Sequence, residues 1–184
     1  MNSFLRLLGI AMLAGLTGCA AVAPNYTPSP QTTQRLQADK VRPVKVGEFK
    51  AANEASDKSI SLRASSMQPA QGSYAKYLAE AIKQELDIAK LYSANAHIEI
   101  VGVLLGNDMN TGMADKGAGL IEARFMVLRE GTGTFDKVKT ARTEWDTSLL
   151  GAIAISRAQQ EYPRLVQALV TELFSDPDFV AALK

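Results

Sequence analysis

The chain has a single cysteine, Cys19, which stands just after a short run of apolar residues at positions 7–16, with Arg6 ahead of that run. An α-helix rises about 1.5 Å per residue, so crossing the hydrocarbon core of a bilayer takes roughly 20 apolar residues. The run is about half that length, which is typical of a cleaved signal peptide. Without a second cysteine the folded part can form no internal disulfide, so its stability must come from a hydrophobic core.

Residues 16–19 read Leu-Thr-Gly-Cys, which resembles the lipobox Leu-[Ala/Ser/Thr]-[Gly/Ala]-Cys of bacterial lipoproteins. The resemblance implies cleavage before Cys19, a diacylglyceryl group on its thiol and a further acyl chain on its amine. A single acyl chain anchors weakly, whereas two or three on one residue hold a protein firmly on a membrane. Ala20 resembles the outer-membrane sorting pattern, because an aspartate there would suggest inner-membrane retention. The alternatives are an ordinary secretory signal and a short transmembrane helix running on to Val22.

Composition excludes some classes of partner. Hydrophobic residues make up 47% of the chain and charged residues 21%, which is ordinary globular usage. The 20 basic and 19 acidic side chains leave a formal net charge of zero once Arg6 is removed with the signal peptide. A nucleic-acid partner is therefore not expected, since such proteins usually carry a basic excess. Strong electrostatic attraction to anionic lipid headgroups is not expected either.

The chain divides into three parts on this evidence. Residues 1–18 are predicted to be the lipoprotein signal peptide. Residues 19–40 contain Pro24, Pro28, Pro30 and many small polar residues, so we expect an acylated N-terminus followed by a flexible tether. A loose coil of this length reaches roughly 25 Å. Residues 41–184 are predicted to form a single periplasmic α+β domain.

Hydrophobic periodicity in the domain predicts five strands and two long helices. The strands are expected over 44–49, 59–63, 97–105, 120–129 and 135–147, and the helices over 74–92 and 158–173, with a short last helix after Asp176. The charged residues along 135–147 suggest an exposed or edge strand. The side chains expected to be buried on the two helices are Leu78, Ile82, Leu86, Leu165 and Leu169. Pro163 means that the second helix either starts close to it or is kinked there. We expect a two-layer α+β fold, in which a mostly antiparallel five-stranded sheet has both long helices packed on one face.

The chain offers few residues for catalysis or metal binding. Its one histidine, His97, is expected to be a solvated or hydrogen-bonded turn residue, and no metal site or cofactor is predicted. No Gly-x-Ser-x-Gly motif occurs. Carboxylates could still converge in the fold, which keeps a carboxylate-dependent glycan hydrolase open as a hypothesis. The acidic residues considered for such a site are Asp57, Asp108, Asp115, Asp136, Glu144 and Asp146.

Two segments are candidates for binding a partner. Residues 106–119 are rich in glycine and are predicted to form a long loop between two strands, either a mobile connection or a binding loop that presents Asp108 and Asn110. Residues 149–155 are seven uncharged residues, which are either buried under the domain or exposed as an apolar patch for a partner. The candidate contact residues at this second segment are Trp145, Leu149, Leu150 and Ile153.

The lipobox and the order of predicted elements resemble small bacterial envelope lipoproteins of the YajG type. That resemblance implies an envelope location without known enzymology, and it carries over no functional residue except Cys19. We therefore expect a non-catalytic lipoprotein, anchored by its lipid on the periplasmic face of the outer membrane, that binds an envelope protein or polymer. The alternatives are an accessory lipoprotein of a transport or envelope-assembly complex and the glycan hydrolase.

Overall fold

The computed structural model describes residues 20–113 and 115–184, so the predicted signal peptide and Cys19 lie outside the described residues. The shorter elements lie mainly before residue 70, and the longer ones mainly after it. In order they are β1 (Ala20–Val22), α1 (Pro30–Ala38), β2 (Val44–Ala51), α2 (Glu54–Lys58), β3 (Ile60–Leu62), β4 (Ser65–Gln68), α3 (Tyr74–Ile88), β5 (Ile98–Asn110), β6 (Lys116–Arg129), β7 (Thr132–Asp146), α4 (Gly151–Ser175) and α5 (Pro177–Ala182).

The main sheet has four strands in the order β2–β5–β6–β7. The long strands β5, β6 and β7 are antiparallel neighbours, whereas β2 runs parallel to β5. β7 is an edge strand, as its alternating charges suggested. The predicted α+β class and its two layers are confirmed.

The single five-stranded, mostly antiparallel sheet predicted from the sequence is wrong in its details. The predicted strand at 59–63 is β3, which belongs to a second sheet in the order β1–β4–β3. A two-residue turn at Arg63 and Ala64 reverses the chain, so β3 pairs locally with β4. β1 joins this sheet parallel to β4. β4 has only one apolar residue, Met67, so its sequence gives little sign of a strand.

Both long helices pack on one face of the main sheet. α3 lies over β2 and β5, and α4 lies mainly over β6 and β7. The helices meet through aromatic rings, since the centroid of Tyr162 lies 5.0 Å from that of Tyr74 and 5.3 Å from that of Tyr77. The predicted core side chains are all fully buried, namely Leu78, Ile82, Leu86, Leu165 and Leu169. α4 starts well before Pro163, which lies inside the helix. Within the described part of the chain, no helix is both long and apolar enough to span a bilayer.

Residues 20–40 are part of the fold, in contrast to the flexible tether predicted for 19–40. The Ala23 amide donates to the Gln68 carbonyl at 2.8 Å, which extends the pairing of β1 with β4. The side chains of Tyr26 and Leu36 are buried against the core. Although few in number, these apolar groups are enough to order the segment because each one fits a site on the helices.

A buried carboxylate fastens this segment to α3. Glu85 is fully buried, and its Oε1 accepts hydrogen bonds from the Tyr26 hydroxyl at 2.6 Å and from the Ser29 amide at 2.8 Å. Its Oε2 accepts no hydrogen bond from the residues that the structure describes. Burial raises the pKa of Glu85 above its ordinary value of 4.5, and the two hydrogen bonds offset only part of that rise.

The raised pKa of Glu85 predicts a pH dependence of stability. The folded state favours the neutral form of Glu85. Its contribution to the free energy of unfolding is therefore greatest below pH 4.5 and is lost as the pH rises through the pKa of the folded state. We expect Glu85→Gln, which keeps the acceptor without the charge, to become more stable relative to the wild type as the pH is raised from about 4 to 7.

Denaturant unfolding of both proteins at several pH values measures this difference. Glu80→Gln is the matched control, because Glu80 lies on the same helix with 41% of its side chain exposed. Its stability relative to the wild type should vary little over the same range. A pH-independent difference between Glu85→Gln and the wild type would contradict the analysis.

Candidate functional site

The fold brings the two candidate segments together at one end of the main sheet. Asn110 is the last residue of β5, and the turn that follows it lies beside the residues that follow β7. The Thr147 hydroxyl donates to the Thr111 carbonyl at 2.6 Å, and the Thr147 amide donates to the Asp115 carbonyl at 3.1 Å. Segments that are separated in sequence therefore form one surface.

Arg63 holds these two segments in place. Its guanidinium donates to Thr111 Oγ1 at 3.1 Å and to the carbonyl of Gly112 at 2.6 Å. From the other segment it contacts the carbonyls of Ser148 at 3.0 Å and Leu149 at 3.2 Å. Hydrogen bonds from a charged donor are stronger than neutral ones.

The backbone of Arg63 has an unfavourable conformation. Its φ of +55° lies in the left-handed region, which disfavours residues other than glycine by about 1–2 kcal/mol. The guanidinium makes five contacts, counting a longer one to the Met113 carbonyl, and these offset such a cost. Arg63 was not among the residues chosen from the sequence, because nothing in its local pattern distinguishes it from an ordinary surface arginine.

The turn after β5 also depends on its own residues. Gly112 has φ +65°, and a Cβ on it would lie 1.9 Å from the Lys116 carbonyl oxygen, so only glycine fits. The Gly112 amide donates to Asn110 Oδ1 at 2.8 Å. Asn110, predicted as a partner contact, therefore shapes the turn. Its side chain remains exposed at the surface.

The long loop predicted over 106–119 is wrong, because β5 continues to Asn110 and β6 begins at Lys116. The glycines that indicated a loop serve packing instead. A Cβ on Gly117 would lie 2.4 Å from Trp145 Cε2, and one on Gly119 would lie 2.9 Å from a methyl carbon of Leu165. Because glycine has no side chain, Trp145 can pack directly on the backbone of Gly117, and Leu165 on that of Gly119.

Trp145 is a correction to the predicted contact residues. It is only 7% exposed, because its indole lies over Gly117 on the helix-covered face of the sheet. Its Nε1 has no hydrogen-bond partner among residues 20–113 and 115–184. Trp145 thus supports the candidate surface from within and does not present its ring to a partner.

Leu149, Leu150 and Ile153 are exposed, so the structure agrees with the exposed-patch alternative for these three residues of 149–155, although Ala154 is buried. Met113, which the sequence analysis did not select, lies in the neighbouring turn. Its carbonyl is 3.5 Å from Arg63 Nη2. We call the exposed side chains at this end the apolar tip, and they are Met113 at 80%, Leu149 at 74%, Leu150 at 66% and Ile153 at 43% exposure.

The face of the main sheet turned away from the helices is a second surface. Asp108 is exposed there, as predicted, and so are Leu120 at 38% and Val138 at 49%. Arg124 and Asp136 form a two-pronged ion pair at 2.5 and 2.6 Å. We call this surface the outer sheet face.

The carboxylates considered for catalysis are largely engaged in structural contacts. Hydrogen bonds from Arg124 and Lys116 lower the pKa of Asp136 and Asp146, respectively. Asp57 is buried, where its Oδ1 accepts from Ser73 Oγ at 2.8 Å and from the Ala75 amide at 2.9 Å at the start of α3. Asp108, Asp115 and Glu144 are exposed.

Two further sequence expectations concern histidine and metals. His97 has 84% of its side chain exposed, and its Nδ1 lies 3.7 Å from Glu130 Oε1. It stands beside the start of β5, at the opposite end of the strand from the apolar tip. In the part of the chain that the structure describes, no group of three or more His, Cys, Asp or Glu residues is arranged to hold a metal ion.

Comparisons with known proteins give information about the fold. The sequence matches no protein-family model. A comparison with curated proteins gives no match. Among solved structures, a Xanthomonas campestris protein described by the family name DUF330 has a TM-score of 0.57 and 12% identity, over 85% of this chain and 95% of that chain. At that identity the similarity shows a shared fold and nothing about activity.

Two other solved structures have TM-scores below 0.5. A candidate lipoprotein from Caulobacter crescentus has a TM-score of 0.48 with 11% identity, over 83% of this chain and 96% of that one. A minor lipoprotein from Acinetobacter baumannii has a TM-score of 0.42 with 12% identity, over 73% and 90%. TM-scores below 0.5 do not establish a common fold, so these two structures support no conclusion about this chain.

The contacts of Arg63 predict that the two candidate segments lose order without it. In Arg63→Gln most of the donors are removed, so we expect the order parameters of the Gly112 and Ser148 amides to fall from about 0.85 to below about 0.6. Nitrogen-15 relaxation measures them. Arg164→Gln is the control, since Arg164 is exposed and forms an ion pair with Glu161 on its own helix. Unchanged order parameters in Arg63→Gln would show that the guanidinium does not hold this surface.

Proposed function

We propose that the protein is a bacterial lipoprotein, held on a membrane by acyl chains on Cys19, whose domain serves as a non-catalytic binding or scaffold module in the periplasm. The observation that carries this proposal is the lipobox-like sequence at 16–19 after the apolar run at 7–16. A thiol at that position is the acceptor for diacylglyceryl attachment. Two or three acyl chains on one residue give stable anchoring.

The start of the domain supports this proposal. Ala20 pairs with Ser66, so the residue next to the proposed acylation site already belongs to the small sheet. A removed signal peptide is compatible with this pairing, because Ala20 lies on the mature side of the predicted cleavage site. The anchor and the domain are then joined without a spacer.

The outer membrane is the location we propose. Ala20 follows Cys19 where an aspartate would suggest inner-membrane retention. The resemblance to lipoproteins of the YajG type implies an envelope location. The domain would then face the periplasm. An inner-membrane location is the alternative, and separating the two membranes by density distinguishes them.

A binding role is supported by the outer sheet face. It combines exposed apolar side chains, Leu120 and Val138, with the exposed charge of Asp108. Mixed surfaces of this kind suit partners that bind without a deep pocket. An envelope protein or polymer is the partner class that the location implies. The same face favours the second candidate function, an accessory lipoprotein of a transport or envelope-assembly complex.

The buried carboxylates support a structural domain over a hydrolase. Asp57 and Glu85 accept hydrogen bonds that fix the starts of α3 and α1, as described above. Asp176 caps α5, and its Oδ2 lies 2.7 Å from Lys139 Nζ and 3.0 Å from Lys137 Nζ. A glycan-cleaving site needs two acidic groups free to act on substrate. Each of these three is instead committed to its neighbours.

The proposal predicts the chemistry of the mature N-terminus. Mass spectrometry of the protein purified from bacterial membranes should find Cys19 as the first residue and bearing fatty acids. The Cys19→Ser variant should carry no fatty acid and should be absent from the membrane fraction, because no thiol remains to accept the diacylglyceryl group. Thr17→Ser is the matched control, since serine also fits that position of the lipobox.

The binding part of the proposal is tested in the same cells. A photo-crosslinking residue at Val138 should give a discrete product in the acylated protein, and the same residue at Ile88, on α3 and equally exposed, should not. If the purified protein still contained residue 1, or if Cys19 carried no fatty acid, the proposed lipid anchor would be refuted. Equal crosslinking from both positions would refute a specific outer-face partner.

A further inference from the structure

We infer that the apolar tip lies against the lipid bilayer in which the protein is anchored, so that Met113, Leu149, Leu150 and Ile153 enter the boundary between headgroups and acyl chains. This inference rests on the proposed acylation of Cys19. It adds a second, non-covalent contact with the membrane, made by the folded domain. It also gives the domain a defined orientation.

The position of Ala20 places the anchor at the same end of the molecule as the tip. Ala20 pairs with Ser66, and the turn at Arg63 comes directly before β4. At about 3.3 Å per residue along a strand, Ser66 is roughly 10 Å from Arg63. Consecutive Cα atoms are about 3.8 Å apart, so Cys19 cannot be farther than that from Ala20. The lipid attachment therefore starts close to the Arg63 turn.

The side chain of Arg63 connects that turn to the tip. Its guanidinium contacts the carbonyls of Met113 and Leu149, the two most exposed members of the tip. A Cβ on Gly151 would lie 3.8 Å from Arg63 Nη1, so the first turn of α4 is also next to it. The anchor, the turn and the tip thus form one continuous end of the molecule.

The exposure of the tip requires an explanation. Single exposed apolar side chains are ordinary, whereas a group of large ones marks a contact surface. Four lie together here, with exposures from 43% to 80%. Because the acyl chains on Cys19 would hold this end next to the bilayer, lipid is the partner that the tip meets first. A protein partner would have to enter between the domain and its own anchor.

The charges around the tip fit a lipid surface without a need for anionic headgroups. Lys116 Nζ lies 2.6 Å from Asp146 Oδ1, and Arg157 Nη1 donates to the Asp146 carbonyl at 2.8 Å. Arg63 directs its donors at carbonyls within the protein. The basic groups are thus engaged by the protein itself, so burial of apolar area is the main attraction.

The proposed orientation is tested with the full mature protein, acylated on Cys19 and reconstituted in vesicles of phosphatidylethanolamine and phosphatidylglycerol. Cys19 is the only native cysteine, so in the acylated protein an introduced cysteine is the single free thiol. An environment-sensitive dye is attached to Leu150→Cys or Ile153→Cys. The control positions are Val138→Cys and Ile88→Cys, which are 49% and 50% exposed and lie away from the tip.

We expect the dye at 150 and 153 to show a blue-shifted emission and several-fold stronger quenching by brominated lipids than the dye at 138 and 88. Replacing phosphatidylglycerol with a zwitterionic lipid should leave this difference in place. The further change Leu149→Ser should weaken the quenching at 150, since it removes apolar area from the tip.

Two results would overturn the inference alone, and a third would remove it together with the proposed function. Mass spectrometry of each sample distinguishes the third from the first two. With Cys19 acylated, water-like emission at 150 and 153 would show that the tip does not meet lipid. A blue shift that grows with protein density and is not quenched by brominated lipids would identify a second copy of the chain as the occupant. Absence of fatty acid on Cys19 would remove the anchor and the inference together.

Discussion

The buried hydrogen bonds of Glu85 hold the segment at 20–40 on the rest of the domain. Its Oε1 accepts hydrogen bonds from the Tyr26 hydroxyl and the Ser29 amide, and the residue is fully buried. Leaving a buried polar group without partners costs about 1–3 kcal/mol, so the segment that supplies these partners is strongly favoured to stay bound. The N-terminal residues are thereby made part of the core.

Much of the surface organisation follows from this attachment. With Tyr26 fixed on α3, the residues before it pair with β4, which places Ala20 next to Ser66, close to the Arg63 turn. That same turn orders the two segments that form the apolar tip. The arginine thus links the beginning of the domain to its most exposed apolar residues. The outer sheet face lies on a different side and remains free for a partner.

The sequence predicted the elements whose burial repeats regularly. α3 was predicted from the spacing of Leu78, Ile82 and Leu86, and all three are fully buried. β6 and the edge strand β7 were predicted from alternation of apolar and polar residues. These patterns are legible because a long element repeats the same contact several times.

The features that the sequence did not reveal depend on contacts between distant residues. Glycines at 117 and 119 indicated a loop, but they lie in a strand under Trp145 and Leu165, a fit that only the fold discloses. The segment at 20–40 looked like a tether, because its order depends on Glu85, more than forty residues away. The role of Arg63 is equally non-local, since its partners come from two later turns. Sequence patterns describe one element at a time, so such contacts are invisible to them.

The most direct test of this account is amide hydrogen exchange over residues 20–40 in the mature protein. The Ala23 amide donates to the Gln68 carbonyl, and the Thr33 amide donates to the Ser29 carbonyl at 3.1 Å. Both amides should exchange slowly, with protection close to that of β4, because the segment opens only with the sheet that it joins. If the amides of residues 20–40 exchanged as fast as those of an unfolded chain while the amides of α3 stayed protected, the segment would be a flexible tether. That result would contradict the account.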